Sequence, residues 1–177
     1  MDRSELLRKL RIALAVFLDQ HRLLLTKDAN ERSIAHKFAE CLECLFPWWD
    51  IDCEYNRHGD QEKRLVKVKN YVREKRKSGV LTDKEEDFGI CVSPDVIVHK
   101  RYNDDSNLLI VEIKKSDHPL NEKEYDFLKI CSYIREIKYH YGLYLEFGVK
   151  DDAGTKRALL FLPGSVECED ITKVLCY

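Results

Sequence analysis

Two acidic residues and one lysine have the types and the spacing that point to chemistry. Asp95 begins a β-branched run at residues 94–99 (PDVIVH), and Glu112 and Lys114 end a second run at residues 108–114 (LLIVEIK). Turn-forming residues lie between the runs, so the two runs predict a β-hairpin. In that hairpin Asp95 faces Glu112 about 5 Å away at the backbone. Lys114 then projects from the same face as Glu112, because side chains alternate along a strand.

The register of this hairpin follows from its apolar residues. With the turn centred between Asn103 and Asp104, apolar side chains face one another on both sides, and His99 is predicted to face Leu108. Strands that are apolar on both faces are typical of the centre of a sheet covered by helices. For His99, on the same face as Asp95, we favour a structural imidazole over a functional one.

Two carboxylates facing each other in such a buried place are in electrostatic conflict. They repel and lose hydration, so one of them must take up a proton unless a cation lies between them. A hard divalent cation with oxygen ligands resolves the conflict, and Mg²⁺ is the usual one. Beside that cation, Lys114 is suited to hold a phosphate oxygen or to orient an attacking water. The alternative is a buried ion-pair network that only stabilises the hairpin, with Lys114 neutralising one of the two acids.

Helices and further strands must position these residues. Apolar residues at helical spacing predict a first helix across residues 6–25, a second across about 30–46 and a third across about 121–139. Asn121 with Glu124 predicts a capping box at the start of the third helix. Its predicted inner stripe consists of Leu120, Phe127, Leu128, Cys131, Ile134 and Ile137. Alternating or apolar runs predict strands at residues 50–56, 143–149 and 157–162.

The second helix contributes one more candidate acid. Asn30 is its predicted N-cap and Pro47 stops it. At 100° per residue Glu31 falls within the apolar stripe, whereas Glu40 points to the opposite side. We therefore choose Glu31 as the acid that reaches the metal's surroundings. The alternative is an ordinary first-turn acid favoured by the helix dipole.

The string Pro94-Asp95, a gap of sixteen residues and then Glu112-Ile113-Lys114 resembles the motif of the PD-(D/E)XK nuclease superfamily, whose fold is restriction-endonuclease-like. The likeness is to its small bacterial and prophage-type members. It implies an α/β domain spanning residues 1–177, with an α-β-β-β-α-β core at about 30–149. The core is a mixed central sheet flanked by helices, and the helix before it is an N-terminal addition.

The same resemblance implies a Mg²⁺-dependent hydrolase of DNA phosphodiester bonds, with Mn²⁺ as an alternative metal and RNA as an alternative substrate. Asp95, Glu112 and the Ile113 carbonyl would bind the metal, Lys114 would assist the water, and Glu31 would match an acid on the first core helix. The sequence has no recognisable target-recognition domain, so a homodimer or a partner subunit would supply recognition. The other hypothesis is a catalytically inactive module of this fold that binds nucleic acid or a protein partner.

A basic stretch follows the first predicted strand. Residues 57–77 carry nine basic side chains against three acidic ones. Such a patch can contact a nucleic-acid backbone without reading its sequence, although a solvated loop is the usual explanation of a charge run. The candidate nucleic-acid contacts in this stretch are Arg57, Lys63, Arg64, Lys67 and Lys69.

Composition excludes several classes of protein. The 177 residues carry 30 Lys and Arg against 32 Asp and Glu, so the chain is not a uniformly basic nucleic-acid binder. No apolar stretch approaches the roughly 18 residues of a membrane span, and the run at residues 12–18 is too short and too closely flanked by charge for a signal peptide. Seven cysteines, an odd number, favour a reducing compartment, so we expect a cytoplasmic protein. Cys41 and Cys44 form a CxxC without a second pair, which favours structural thiols over zinc.

Overall fold

The computed structural model describes residues 1–58, 61–62, 64–65, 68, 90–91, 93–101, 103–164 and 168–176. Within these ranges the helices are α1 (Arg3–Thr26), α2 (Glu31–Glu43), α3 (Leu120–Glu136) and α4 (Thr172–Cys176), with a 3₁₀ turn at Lys150–Asp152. The strands are β1 (Asp50–Cys53), β2 (Arg57–His58), β3 (Gln61–Glu62), β4 (Arg64–Leu65), β5 (Ile90–Cys91), β6 (Val96–Lys100), β7 (Asn103–Lys115), β8 (Tyr141–Gly148), β9 (Gly154–Phe161) and β10 (Glu169–Asp170).

A six-stranded mixed sheet organises the described residues. Its strand order is β1-β6-β7-β8-β9-β10, and β7 and β8 run parallel while every other neighbouring pair is antiparallel. The connection between the parallel strands passes through α3, as a parallel crossover requires. Two short ladders, β2 with β3 and β4 with β5, lie outside this sheet. The chain is therefore an α/β protein with a mixed sheet flanked by helices.

Helices cover both faces of the sheet, and two apolar clusters result. The first cluster contains α1 and α2 residues such as Phe17 and Phe38, packed on strand residues such as Val98 and Val111. The second cluster packs α3 against the opposite face, where Ile110 lies. Because both faces of β6 and β7 are buried, a charged side chain on these strands must find its partners inside the protein. None of the helices in the described part of the chain has the length and apolar character needed to cross a membrane.

The predicted hairpin register is confirmed at its centre and wrong near its turn. Val96 pairs with Val111, and the next two positions follow the same register. His99, however, pairs with Asn107 instead of Leu108, and the strands are joined through residues 101–102 instead of 103–104. The irregularity turns Asn107 inward, where its buried amide donates a 2.9 Å hydrogen bond to the carbonyl of Ile137 just after α3. A bulge of this kind lets the strand satisfy a carbonyl that the helix end leaves without a partner.

The prediction of α1 holds, α2 ends at Glu43 instead of running to Pro47, and the prediction of α3 fails in detail. Asn30 caps α2 as predicted, since its side chain accepts a 2.8 Å hydrogen bond from the Ser33 amide. The predicted capping box at Asn121 is wrong, because α3 starts at Leu120 with Pro119 as its N-cap. Leu120 was expected in the inner stripe but is 77% exposed.

The sheet strands on either side of the β6–β7 hairpin agree with the predictions to within a few residues. The strand expected at residues 50–56 ends at Cys53, because Glu54 adopts a left-handed backbone with φ of 50°. A left-handed residue cannot continue an extended strand. The two C-terminal strands, β8 and β9, overlap the predicted segments at 143–149 and 157–162.

Candidate active site

Asp95 and Glu112 come together at one end of the β6–β7 pair. Asp95 immediately precedes β6, and its Oδ2 accepts a 2.7 Å hydrogen bond from the backbone N–H of Ile113 on β7. Glu112, the neighbour of Ile113, is only 1% exposed and lies on the face that α3 covers. The strand alternation that the sequence predicted therefore places both carboxylates at the same site.

A lysine from α3 lies against this pair. The Nζ of Lys129 is 2.7 Å from Glu112 Oε2 and 3.8 Å from Asp126 Oδ1, and it donates a 3.4 Å hydrogen bond to the carbonyl of Ser93. Both Lys129 and Asp126 are buried. The conflict between the two facing carboxylates is thus partly resolved by the protein itself, with an ammonium group in contact with Glu112.

Lys114 occupies the next position along the same face of β7. Its Nζ is 3.2 Å from Glu31 Oε2 and 3.3 Å from Asp126 Oδ2. Glu31 is fixed at the start of α2, because its other oxygen accepts a 3.0 Å hydrogen bond from the Lys115 amide and lies 3.5 Å from His118 Nε2. Of the two candidate acids on α2, Glu31 therefore reaches the site. Glu40 pairs with His36 and Lys37 on its own helix.

Burial dominates the electrostatics of the acids at the site. It raises the pKa of Glu112 well above the ordinary value, and the neighbouring charge of Asp95 adds to the shift. Burial likewise raises the pKa of Asp95 to about 6, against the opposing effect of Lys129, and it raises the pKa of Asp126. These shifts mean that the folded chain holds several desolvated carboxylates whose ionised forms need positive charge nearby.

The two lysines remain charged in the same environment. Burial alone would lower the pKa of Lys129, but Glu112 and Asp95 outweigh burial and hold that pKa above its ordinary value. Asp126 and Glu31 do the same for Lys114. With every carboxylate ionised, the four acids and two lysines of the site carry a net charge of −2. One divalent cation neutralises that charge.

The donor atoms at the site fit a hard divalent cation. Glu112 Oε1 is fully buried and finds no hydrogen-bond partner in the described part of the chain, which is costly for a carboxylate oxygen unless a cation binds it. The described residues contain no group of three His, Cys, Asp or Glu side chains arranged as metal ligands. The donors that the sequence resemblance implies, namely Asp95, Glu112 and the Ile113 carbonyl, would be a small oxygen set of the kind that Mg²⁺ completes with water.

The site is also open to solvent on the side of α2. A cavity of about 140 Å³ adjoins Asp95 and is lined by Arg32, Ala35, Cys53 and Glu54. Arg32 pairs with Glu54 at 2.6 Å, yet its side chain is 83% exposed. The positively charged Arg32 thus lines a cavity that reaches Asp95, one of the two candidate metal ligands.

Two further groups of residues were proposed from the sequence, namely the basic residues after β1 and His99. Arg57 is exposed in β2, and Arg64 lies in β4. Lys63, Lys67 and Lys69 lie outside the described residues, so their role as nucleic-acid contacts stays a prediction. His99 is buried in a separate cluster, with Nε2 2.9 Å from Asp52 Oδ2.

Asp126 and Lys129 are the site residues that the sequence interpretation missed. They lie four residues before Ile130 and Tyr133 respectively, which places all four on the buried face of α3. The predicted stripe contained only Leu, Phe, Cys and Ile side chains. For that reason the predicted buried face of the helix excluded its charged residues. Helical spacing counted from Tyr133 and Ile137 would have located both.

No protein-family model, curated protein or solved structure matches this chain. The chemistry of the site must therefore follow from the residues and distances described above.

Proposed function

We propose that the chain is a restriction-endonuclease-like domain that hydrolyses DNA phosphodiester bonds with Mg²⁺. The observation that carries this proposal is the buried Glu112, whose Oε1 has no hydrogen-bond partner among the described residues, beside Asp95 in a site where four acids outnumber two lysines. The element order α2-β1-β6-β7-α3-β8 and the parallel β7–β8 pair support the finer fold assignment.

Each side chain has a defined part in this proposal. Asp95, Glu112 and the Ile113 carbonyl hold the cation. A bound divalent cation supplies Lewis-acid polarisation of the scissile phosphate and makes water a competent nucleophile near neutral pH. Lys114, only 14% exposed and held by Glu31 and Asp126, would donate a hydrogen bond from its ammonium group to a phosphate oxygen or to the attacking water, and its positive charge would offset the developing negative charge. Glu31 positions Lys114.

The cavity beside Asp95 gives the substrate a way to the site. Its exposed guanidinium, Arg32, is suited to a backbone phosphate because arginine binds phosphate oxygens through two parallel hydrogen bonds. The basic residues from Arg57 onward would add contacts that salt weakens. A second copy of the chain or a partner subunit would bring the site to its target.

Cleavage of plasmid and linear duplex DNA at low salt tests the proposal. The wild type is expected to cleave with Mg²⁺ or Mn²⁺ and not with EDTA, and Glu112→Gln, Asp95→Asn and Lys114→Ala are each expected to lose cleavage while staying folded. Glu146→Gln is the matched control, because Glu146 is a partly buried glutamate on the strand beside Lys114, yet it pairs with Lys123 and with no acid or lysine of the site. Cleavage that survives in both Asp95→Asn and Lys114→Ala would refute the proposal, and cleavage of RNA alone would change the substrate class.

A specific observation favours a second candidate function. Glu112 already pairs with Lys129, and Lys114 already pairs with Glu31 and Asp126. Such a network can stabilise a fold without metal, as expected of a catalytically inactive module that binds nucleic acid or a protein partner. That module would bind DNA equally well with Mg²⁺ and with EDTA, and Glu112→Gln would leave its DNA affinity unchanged.

A further inference from the structure

We propose that Lys129 is an internal counter-ion of the metal site. In the metal-free chain its ammonium group forms an ion pair with Glu112. When a divalent cation binds, the ammonium group transfers this ion-pair contact to Asp126. This inference rests on the proposed metal site and adds a control on its occupancy. Lys129 is here a positioning residue, acting on the metal through Glu112.

Lys129 lies close to both acids between which its ammonium group would move, Glu112 and Asp126. Its Nζ lies 2.7 Å from Glu112 Oε2 and 3.8 Å from Asp126 Oδ1, so one ammonium group stands between two buried acids. Asp126 faces Lys129 through Oδ1, while its other oxygen, Oδ2, lies 3.3 Å from Lys114 Nζ. Asp126 and Lys129 are three residues apart on α3, where side chains are neighbours, so the shift requires only a change of rotamer.

Charge explains why the transfer must accompany metal binding. An ammonium group and a divalent cation sharing one carboxylate repel each other, and burial makes this repulsion stronger than in water. Because Glu112 is 1% exposed, water cannot screen the two charges. The cation therefore binds with full affinity only after Lys129 leaves Glu112, and the energy needed to break the ion pair lowers the affinity of the wild-type site.

The reverse also holds for the metal-free chain. Without Lys129, Glu112 and Asp95 would be buried carboxylates lacking their nearest positive charge, which is strongly destabilising. Lys129 thus stabilises the metal-free fold and lowers the affinity of the site for the cation. Removing its charge should separate these two effects.

Titration of Mn²⁺ into Lys129→Met by calorimetry, without nucleic acid, tests the proposal. Methionine keeps an unbranched side chain that is one atom shorter than that of lysine, and it removes the charge. We expect at least tenfold tighter Mn²⁺ binding than in the wild type, a lower melting temperature in EDTA and a larger rise of that temperature with Mn²⁺. Lys129→Arg, which keeps the charge, should retain the weak binding of the wild type.

Lys123→Met is the matched control. Lys123 lies on the same helix with a similarly buried side chain, but it pairs with Glu146 at 3.1 Å instead of Glu112. Its Mn²⁺ affinity should equal that of the wild type. A residue with a merely structural role would weaken metal binding when replaced, so equal or weaker Mn²⁺ binding by Lys129→Met overturns the proposal.

A second measurement uses the wild type and stays decisive if Lys129→Met does not fold. In protein labelled with ¹⁵N-lysine, the buried ammonium group of Lys129 should give a correlation protected from exchange with water, assigned by its loss in Lys129→Arg. Mg²⁺ should shift this correlation in step with binding. An unchanged correlation at saturating Mg²⁺ overturns the inference. Because neither experiment measures cleavage, an inactive protein that passes both would refute the proposed nuclease activity alone.

Discussion

Replacing Asp95 by asparagine should stabilise the metal-free protein while abolishing its proposed activity. Burial raises the pKa of Asp95 to about 6, whereas an aspartate in an unfolded chain has an ordinary value of 3.8. At 1.36 kcal/mol per pH unit, this difference means that ionised Asp95 lowers the free energy of unfolding by about 3 kcal/mol near neutral pH. Asparagine removes the charge, and its side-chain oxygen can still accept the hydrogen bond from the Ile113 amide.

The dependence on pH distinguishes this effect from a general change in packing. Folded Asp95 holds its proton more tightly than unfolded Asp95, so the contribution of Asp95 to the free energy of unfolding falls as pH rises from about 4 to about 6 and then levels off. Asp95→Asn lacks this titration. The gain in the free energy of unfolding of the variant over the wild type should therefore be largest above pH 6 and should decrease towards pH 4.

Urea unfolding in EDTA, followed by tryptophan fluorescence, measures the difference, since Trp49 packs against the core. Asp52→Asn on β1 is the matched control. Burial of Asp52 opposes ionisation, but hydrogen bonds from Arg101 and His99 outweigh it and lower the pKa of that carboxyl. This control should lose about 1–3 kcal/mol, because the neutral amide weakens the charge-assisted hydrogen bonds with Arg101 and His99. If Asp95→Asn were less stable than the wild type at pH 7 in EDTA, the electrostatic account of the site would be wrong.

Three further predictions concern the elements around the site. Asn30→Ala should lower the free energy of unfolding by about 1 kcal/mol through loss of the α2 cap, while Asn30→Gly should lower it by only a few tenths, both measured by urea unfolding. Gly148→Ala should destabilise the chain by at least about 1–3 kcal/mol, because a Cβ there would lie 2.1 Å from the Asp152 carbonyl oxygen, and an unchanged melting temperature would contradict this geometry. Burial raises the pKa of Cys53 to about 11 from 9.0, so mass spectrometry at pH 8 should find its alkylation by iodoacetamide about 100-fold slower than that of an unperturbed thiol. Alkylation at the unperturbed rate would place Cys53 outside the cavity wall.

The parts of the site that follow from local rules were predictable from the sequence. Strand alternation and apolar matching placed Glu112 and Lys114 on one face and paired Val96 with Val111. Helical geometry distinguished Glu31 from Glu40, because one angle per residue fixes which side of a helix faces the sheet. These predictions needed no knowledge of what lay across the sheet.

The parts that depend on distant partners were not predictable in the same way. The bulge that pairs His99 with Asn107 follows from a carbonyl after α3, thirty residues further along the chain. Lys129 is buried because Glu112 is there to receive it, and an isolated helix gives no reason to turn a lysine inward. The charged residues of the site therefore had to be predicted together, because each can be buried only when a residue of opposite charge lies beside it.

Titration of Mn²⁺ into the wild type, Asp95→Asn and Glu112→Gln tests the central claim most directly, namely that the two buried carboxylates form a divalent-cation site. The account predicts one Mn²⁺ per wild-type chain and no binding to that site in either variant, with both variants folded. Binding that persists in both variants, or a folded wild type that binds no Mn²⁺ at concentrations up to about 10⁻² M, well above the range typical of sensor sites, would contradict it.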